Sequence, residues 1–249
     1  MESNHCFSLK FHEVHIWSAC LSANEASLPY FASILSRDEQ ERANDFKFSR
    51  DQKRYTISRG ILRSLLAGYL GELPHKIEIL YGLWGKPCLP EEKVLSFNLS
   101  HSGDYALYAF TQRYEVGIDV EYIDESLELE EMARNVFSAI EWSDWEGLNE
   151  QEKIHSFFKQ WVSKEAYLKA SGKGWLESKH VLTLTKTNDL KQELRSNLPE
   201  EVKIIYPYYF ESFPGYASAL FVEGPSLKPV YYIWEKDFPC KLSLSATVY

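Results

Sequence analysis

The chain has 249 residues, with 27 Lys and Arg against 36 Asp and Glu for a formal net charge of −9; apolar residues make up 45% and aromatics 15%. This composition supplies a packed core and excludes a disordered chain, while the acidic total excludes bulk binding to nucleic acid or anionic membrane, which needs a basic footprint. No apolar run is long enough to span a bilayer and the start lacks a signal-peptide pattern, so a cytoplasmic protein of one large or two half-sized domains is expected.

Near the N-terminus, Phe11 to Trp17 alternates polar and apolar side chains and reads as a strand. His12 and His15 bracket Glu13 at a spacing of three, whereas the helical zinc motif needs four, so no metal site is expected there. Cys6, Cys20, Cys88 and Cys240 lie far apart without C-x-x-C spacing, which predicts reduced and mostly buried thiols. Further on, Ile57, Ile61, Leu62, Leu65, Leu66 and Tyr69 form an apolar stripe at helical spacing. Residues 37–63 carry eight basic and five acidic groups, including the four-apart pairs Arg50/Arg54 and Arg59/Arg63. Either a solvated basic face or a grip on an anionic ligand accounts for that density.

Gly82-Leu83-Trp84-Gly85-Lys86-Pro87 has the look of a phosphate loop, but Pro87 stands where a P-loop needs Ser or Thr, which leaves Lys86 on a turn. Phe97 to Asp104 reads as a strand running into a turn, crowded with small hydrogen-bonding groups around His101. In the strand-like run Val116 to Glu121, alternation puts Asp119 and Glu121 on one face and Ile118 and Val120 on the other. Paired carboxylates repel unless a proton or cation lies between them, and hard oxygen donors suit Mg²⁺; exposed acids on an edge strand are the bland alternative. Along Phe157 to Lys169, turning at roughly 100° per residue puts Phe158, Val162, Glu165 and Lys169 in one arc. Glu165 and Lys169 therefore lie on the apolar stripe, which weakens the reading as a surface salt bridge and points to acid–base work. The helix is expected to end at Ser171-Gly172-Lys173-Gly174.

The chain also repeats itself. Glu13-Val14-His15-Ile16 is echoed by Glu115-Val116-Gly117-Ile118, and Tyr105-Ala106 with Phe110 by Tyr216-Ala217 with Phe221. Each half reads as strand, helical region, then strands, which predicts an α+β pseudo-dimer of two similar halves, 1–112 and 113–249, with a ligand cleft between them.

Taken together, Gly85-Lys86-Pro87, Phe97 to Ser102, Gly117 to Glu121 and Trp161 to Lys169 resemble the Sfp-type 4′-phosphopantetheinyl transferases, whose pattern G-K-P, F/W-N-x-S-H-S, G-I-D-x-E and W-x-x-K-E-A-x-x-K is met in order. The resemblance implies transfer of phosphopantetheine from coenzyme A to a serine of an apo acyl or peptidyl carrier protein, with release of 3′,5′-ADP. It implies Asp119, Glu121 and Glu165 as ligands of Mg²⁺ or Mn²⁺, and Glu165 and Lys169 as catalytic residues. Coenzyme A contacts carry over to Arg42, Arg50, Arg54, Lys86, Ser100, His101, Asp119 and Lys169. No fixed carrier-docking pattern maps onto Trp175, Leu176 and Glu177 or onto the acidic run Asp124 to Glu131. Two other readings stand beside it: another Mg²⁺-dependent nucleotide phosphotransferase or phosphohydrolase, and a non-catalytic coenzyme A or carrier-binding module. Duplication makes an obligate dimer unnecessary, so a monomer is expected.

Overall fold

The computed structural model describes residues 7–172, 182–186, 192–196, 204–205 and 208–235. Cys6, Cys240, Lys173, Gly174, Trp175, Leu176 and Glu177 lie outside the described residues. In chain order the regular elements are β1 (Glu13–Cys20), α1 (Leu28–Ile34), α2 (Arg37–Asn44), α3 (Ser49–Leu70), β2 (Leu80–Tyr81), β3 (Pro87–Cys88), β4 (Ser96–Ser102), β5 (Tyr105–Thr111) and β6 (Glu115–Tyr122). Then follow α4 (Glu130–Val136), α5 (Ala139–Glu146), α6 (Glu150–Ser171), β7 (Leu182–Lys186), β8 (Gln192–Ser196), β9 (Ile204–Ile205), β10 (Tyr208–Phe210), β11 (Tyr216–Glu223) and β12 (Lys228–Trp234). No described helix is long and apolar enough to cross a membrane.

The described residues fall into two compact units. One gathers residues 7–80, 87–113 and 226–235; the other gathers 81–86 and the described residues of 114–225. The division differs from a cut into 1–112 and 113–249 chiefly at the end of the chain. There β12 runs parallel to β1 over seven residue pairs, from Glu13 opposite Lys228 to Ala19 opposite Trp234. A strand belongs with the ladder that satisfies its backbone, whatever its position in sequence.

In the first unit the sheet order is β12-β1-β5-β4. The stripe on α3 is buried as its spacing requires: Ile57, Ile61, Leu62, Leu65, Leu66 and Tyr69 join Trp17, Phe97, Phe110 and Trp234 in one core. Arg59 and Arg63, by contrast, are neither solvated nor open to a ligand. They are buried and share Glu39, the third residue of α2, whose carboxylate also accepts from the Ser36 backbone as half of a capping box. The basic density of 37–63 is thus partly a core ion-pair network, a burial that stands only because each charge is partnered. His15 is buried on β1; Trp17 Nε1 donates to the Tyr69 hydroxyl, which contacts His15 Nδ1 at 2.7 Å. Cys20 and Cys88, the two described cysteines, are free thiols as expected, but half-buried.

The second unit holds a sheet of order β10-β11-β6 and a separate one of order β7-β8-β9. Against the former lies α6, whose Phe158, Val162 and Ala166 pack with Ala217, Ala219 and Phe221 of β11. The helix starts at Asn149 with a capping box to Glu152 and ends at Gly172, where φ of 64° is the left-handed stop that glycine adopts without a Cβ penalty.

The repeat seen in sequence extends to the geometry. β1 pairs antiparallel with β5 from Cys20 opposite Tyr105, and β6 with β11 from Tyr122 opposite Tyr216, which are the same positions once the sequence echoes are superimposed. The helices repeat in length as well: seven residues for α1 and α4, eight for α2 and α5, and 22 for α3 and α6. Both α2 and α5 begin with a Ser-to-Glu capping box, Ser36 with Glu39 and Ser138 with Glu141.

Candidate active site

The second unit assembles four of the residues singled out by sequence. On β6, Gly117, Asp119 and Glu121 share the face that meets α6, as strand alternation requires. A Cβ built on Gly117 would lie 1.9 Å from the Ala166 carbonyl oxygen and 2.5 Å from the Ala170 nitrogen. Only glycine lets the strand backbone approach the helix backbone this closely. The approach has a direct consequence for charge: Asp119, two residues along, is buried, and its Oδ1 accepts a 2.6 Å hydrogen bond from Lys169 Nζ on α6. Exposed acids on an edge strand are therefore not what the D-x-E pair represents.

Glu165, one turn before Lys169, is half-buried. Its carboxyl is pushed up to about 7, first by desolvation and then by the negative charges of Asp119 and Glu121, with Lys169 pulling the other way. Three carboxylates and one ammonium thus act on one another within a partly dehydrated wall. Such a group can hold a proton near neutral pH and give or take it, or hold a hard cation in its place. Among the described residues, no three His, Cys, Asp or Glu side chains stand at coordinating separation.

Lys86 belongs to the same unit. Its Nζ donates to the Ala170 carbonyl at 2.8 Å and pairs with Glu115 at the start of β6, so it caps the C-terminal end of α6, where a cation is favoured. Beside it Glu115, Gly117 and Lys164 take structural parts that single-residue chemistry did not flag. Lys164 is buried, and desolvation lowers its pKa against the opposing pull of Glu141.

The first unit holds the other candidates. Arg54 on α3 donates through Nε at 3.0 Å and Nη2 at 2.6 Å to Asp104 Oδ1, in the turn just after Ser100, His101 and Ser102. This one contact joins the basic helix to the N-L-S-H-S strand. On β4, Ser100 is buried and His101 exposed, as neighbours on a strand must face opposite sides. Arg50 is exposed beside Asp51, and Arg42 is exposed with its guanidinium 5.8 Å from the Phe46 ring. The partner that sequence reading missed here is Asp104, which local spacing does not connect to an arginine fifty residues earlier.

Comparison with known proteins bears on this arrangement directly. Residues 115–219 match the model of the 4′-phosphopantetheinyl transferase superfamily, and residues 19–113 match that of the 4′-phosphopantetheinyl transferase N-terminal region. The chain is 41% identical over 183 residues to the 4′-phosphopantetheinyl transferase HetI of Nostoc sp., covering 72% of this chain and 77% of that protein. The chain belongs to the 4′-phosphopantetheinyl transferase family. It is 28% identical over 196 residues to the transferase Sfp of Bacillus subtilis, covering 78% of this chain and 85% of that one. Over 110 residues it is 37% identical to the transferase AcpT of Escherichia coli K12, which covers 44% of this chain and 55% of AcpT. The two family matches divide the transferase at residues 113 and 115, where the chain passes from the first unit to the second. Both halves of the expected α+β pseudo-dimer therefore have counterparts in the family. The Asp119–Glu121–Glu165–Lys169 group lies wholly within the superfamily match.

Proposed function

We propose that this transferase moves the 4′-phosphopantetheine arm of coenzyme A onto a serine of an apo acyl or peptidyl carrier protein, with Mg²⁺ and release of 3′,5′-ADP. The observation that carries the reading is the group formed by Asp119, Glu121, Glu165 and Lys169, in which burial and the charges of Asp119 and Glu121 raise the proton affinity of Glu165 while Lys169 is bonded to Asp119. Its donors fit Mg²⁺ by type, all hard oxygens, and by charge, since a divalent cation relieves the repulsion that a proton otherwise relieves on Glu165. In this reading Asp119, Glu121 and Glu165 hold the ion, which when bound neutralises pyrophosphate charge.

The chain's own residues do the rest. The carrier serine Oγ attacks the phosphorus that bears pantetheine, the phosphorus–oxygen bond to the nucleotide breaks, and 3′,5′-ADP leaves with that bond's electron pair. The serine proton passes to Glu165, which acts as base through the carboxylate oxygen that does not hold the ion. Lys169 donates to the developing charge on the leaving oxygens. Lys86 meets phosphate from the end of α6. Ser100, His101, Arg54, Arg42 and Arg50 take the nucleotide end, where arginine forks match phosphate oxygens.

The test mixes purified protein, coenzyme A, Mg²⁺ and an apo carrier domain and weighs the carrier by mass spectrometry. Gain of one phosphopantetheine that is lost with chelator and with Asp119→Ala supports the reading. Nucleotide hydrolysis without carrier labelling assigns a phosphohydrolase instead, and binding of coenzyme A with neither product assigns a non-catalytic module.

A further inference from the structure

Lys164 precedes Glu165 on α6 but points away from the site. Its side chain is 1% exposed and that of its partner Glu141 2%. The ammonium donates to Glu141 Oε2 and to the Val136 carbonyl, each at 2.7 Å, so it ties α6 to the end of α4 and the start of α5. The same Glu141 oxygen accepts from the Ser138 backbone at 2.7 Å, which fixes the carboxylate before the lysine reaches it. The centre of the Phe137 ring lies 5.8 Å from the ammonium.

A buried ion pair is weak evidence for stability, because an apolar pair of similar volume often does as well. What the pair adds is direction. With Lys164 at zero on the helix wheel, Glu165 and Lys169 fall at about 100° and 140°, and Ala166 and Ala170 at about 200° and 240°. The alanines meet Gly117 backbone to backbone. The helix is therefore held on one side by Lys164 and on the other by β6, and the arc between the two grips carries Glu165 and Lys169. The first unit repeats the device with arginine: Glu39, in the capping box of α2, takes Arg63 of α3, and the helix and box positions correspond to those of Lys164 and Glu141. There the same lock registers a long helix without these catalytic side chains.

We propose that Lys164, through Glu141, is a positioning residue of the transferase, setting the rotation of α6 that turns Glu165 and Lys169 toward Asp119. This rests on the roles assigned above to Glu165 and Lys169. The test replaces the pair by apolar side chains, Lys164→Met with Glu141→Leu, and measures carrier loading, KM for coenzyme A and the thermal melt. Expected is a cooperatively folded protein whose kcat falls by at least about 30-fold, approaching the roughly 10²-fold that a misplacement near 1 Å costs, with KM changed less than about threefold. Lys164→Arg, the residue the first unit uses, recovers most of the loss. A folded double variant with wild-type kcat overturns the proposal. Should the double variant not fold, Glu141→Gln decides: a kcat drop of about threefold or more at constant KM supports the lock, and unchanged kcat refutes it. Glu165→Gln is run alongside; if it retains full turnover, the assignment of Glu165 falls, and that failure is separate from any result at Lys164.

Discussion

Gly117→Ala is the sharpest perturbation of the site, because one methyl group is placed where there is no room and no side chain to yield. The new Cβ meets the Ala166 carbonyl oxygen at 1.9 Å, and contacts under 3.0 Å do not persist, so strand and helix must part by at least about 1.1 Å. Both partners are backbone, so no rotamer change relieves the clash. Moving α6 by that distance carries Lys169 away from Asp119, whose hydrogen bond is 2.6 Å, to a separation near 3.7 Å, beyond hydrogen-bonding range. Overpacking of this kind costs about 1–3 kcal/mol of stability, and a shift near 1 Å at reacting groups costs about 10²-fold in rate. Carrier loading followed by mass spectrometry gives the rate, and a thermal melt gives the stability. Turnover and melting temperature both within error of wild type would refute the claim that Gly117 exists to let β6 touch α6.

Glu165 adds a prediction in pH. Its folded-state pKa of about 7 lies above the ordinary 4.5, so the fold binds the proton more tightly than the unfolded chain. Stability from this group is fully present below pH 4.5 and is lost as pH rises through about 7, a change on the order of 3 kcal/mol. Glu165→Gln should therefore melt higher than wild type at pH 8 and equally at pH 4.5, and Mg²⁺ should erase the difference at pH 8; a constant difference across pH would refute it. His15 works in the opposite sense, because burial outweighs the pull of Glu13 beside it. Burial holds its pKa at about 4 against 6.5, so it stays neutral in the fold and stability falls as pH drops from 6.5 towards 4. His15→Gln should flatten that acid limb by up to about 3 kcal/mol, as read from melts between pH 4 and 7; an unchanged limb would refute the assignment.

The linear chain determined a great deal on its own. Periodicity placed the α3 stripe and set Glu165 and Lys169, both half-buried, on the apolar side of α6, because helix geometry is local and each side chain's face follows from its position. Four short motifs pointed to the family, and two faint echoes pointed to a duplication that the strand registers then reproduce. Tertiary structure decided which charges are spent on the fold. Arg59 and Arg63 look from their spacing like Arg50 and Arg54, yet they are buried on Glu39, while Arg54 turns to Asp104. Likewise β12 completes the sheet of the first unit from the far end of the chain. The roles of Gly117 and Lys164 could not be read from neighbours in sequence, since each depends on an element far along the chain. A sequence states which groups are present and which face of its own helix or strand each occupies. Whether a charge meets water, a ligand or an opposite charge depends on long-range packing, and the desolvation that shifts Glu165 exists only once α6 lies against β6.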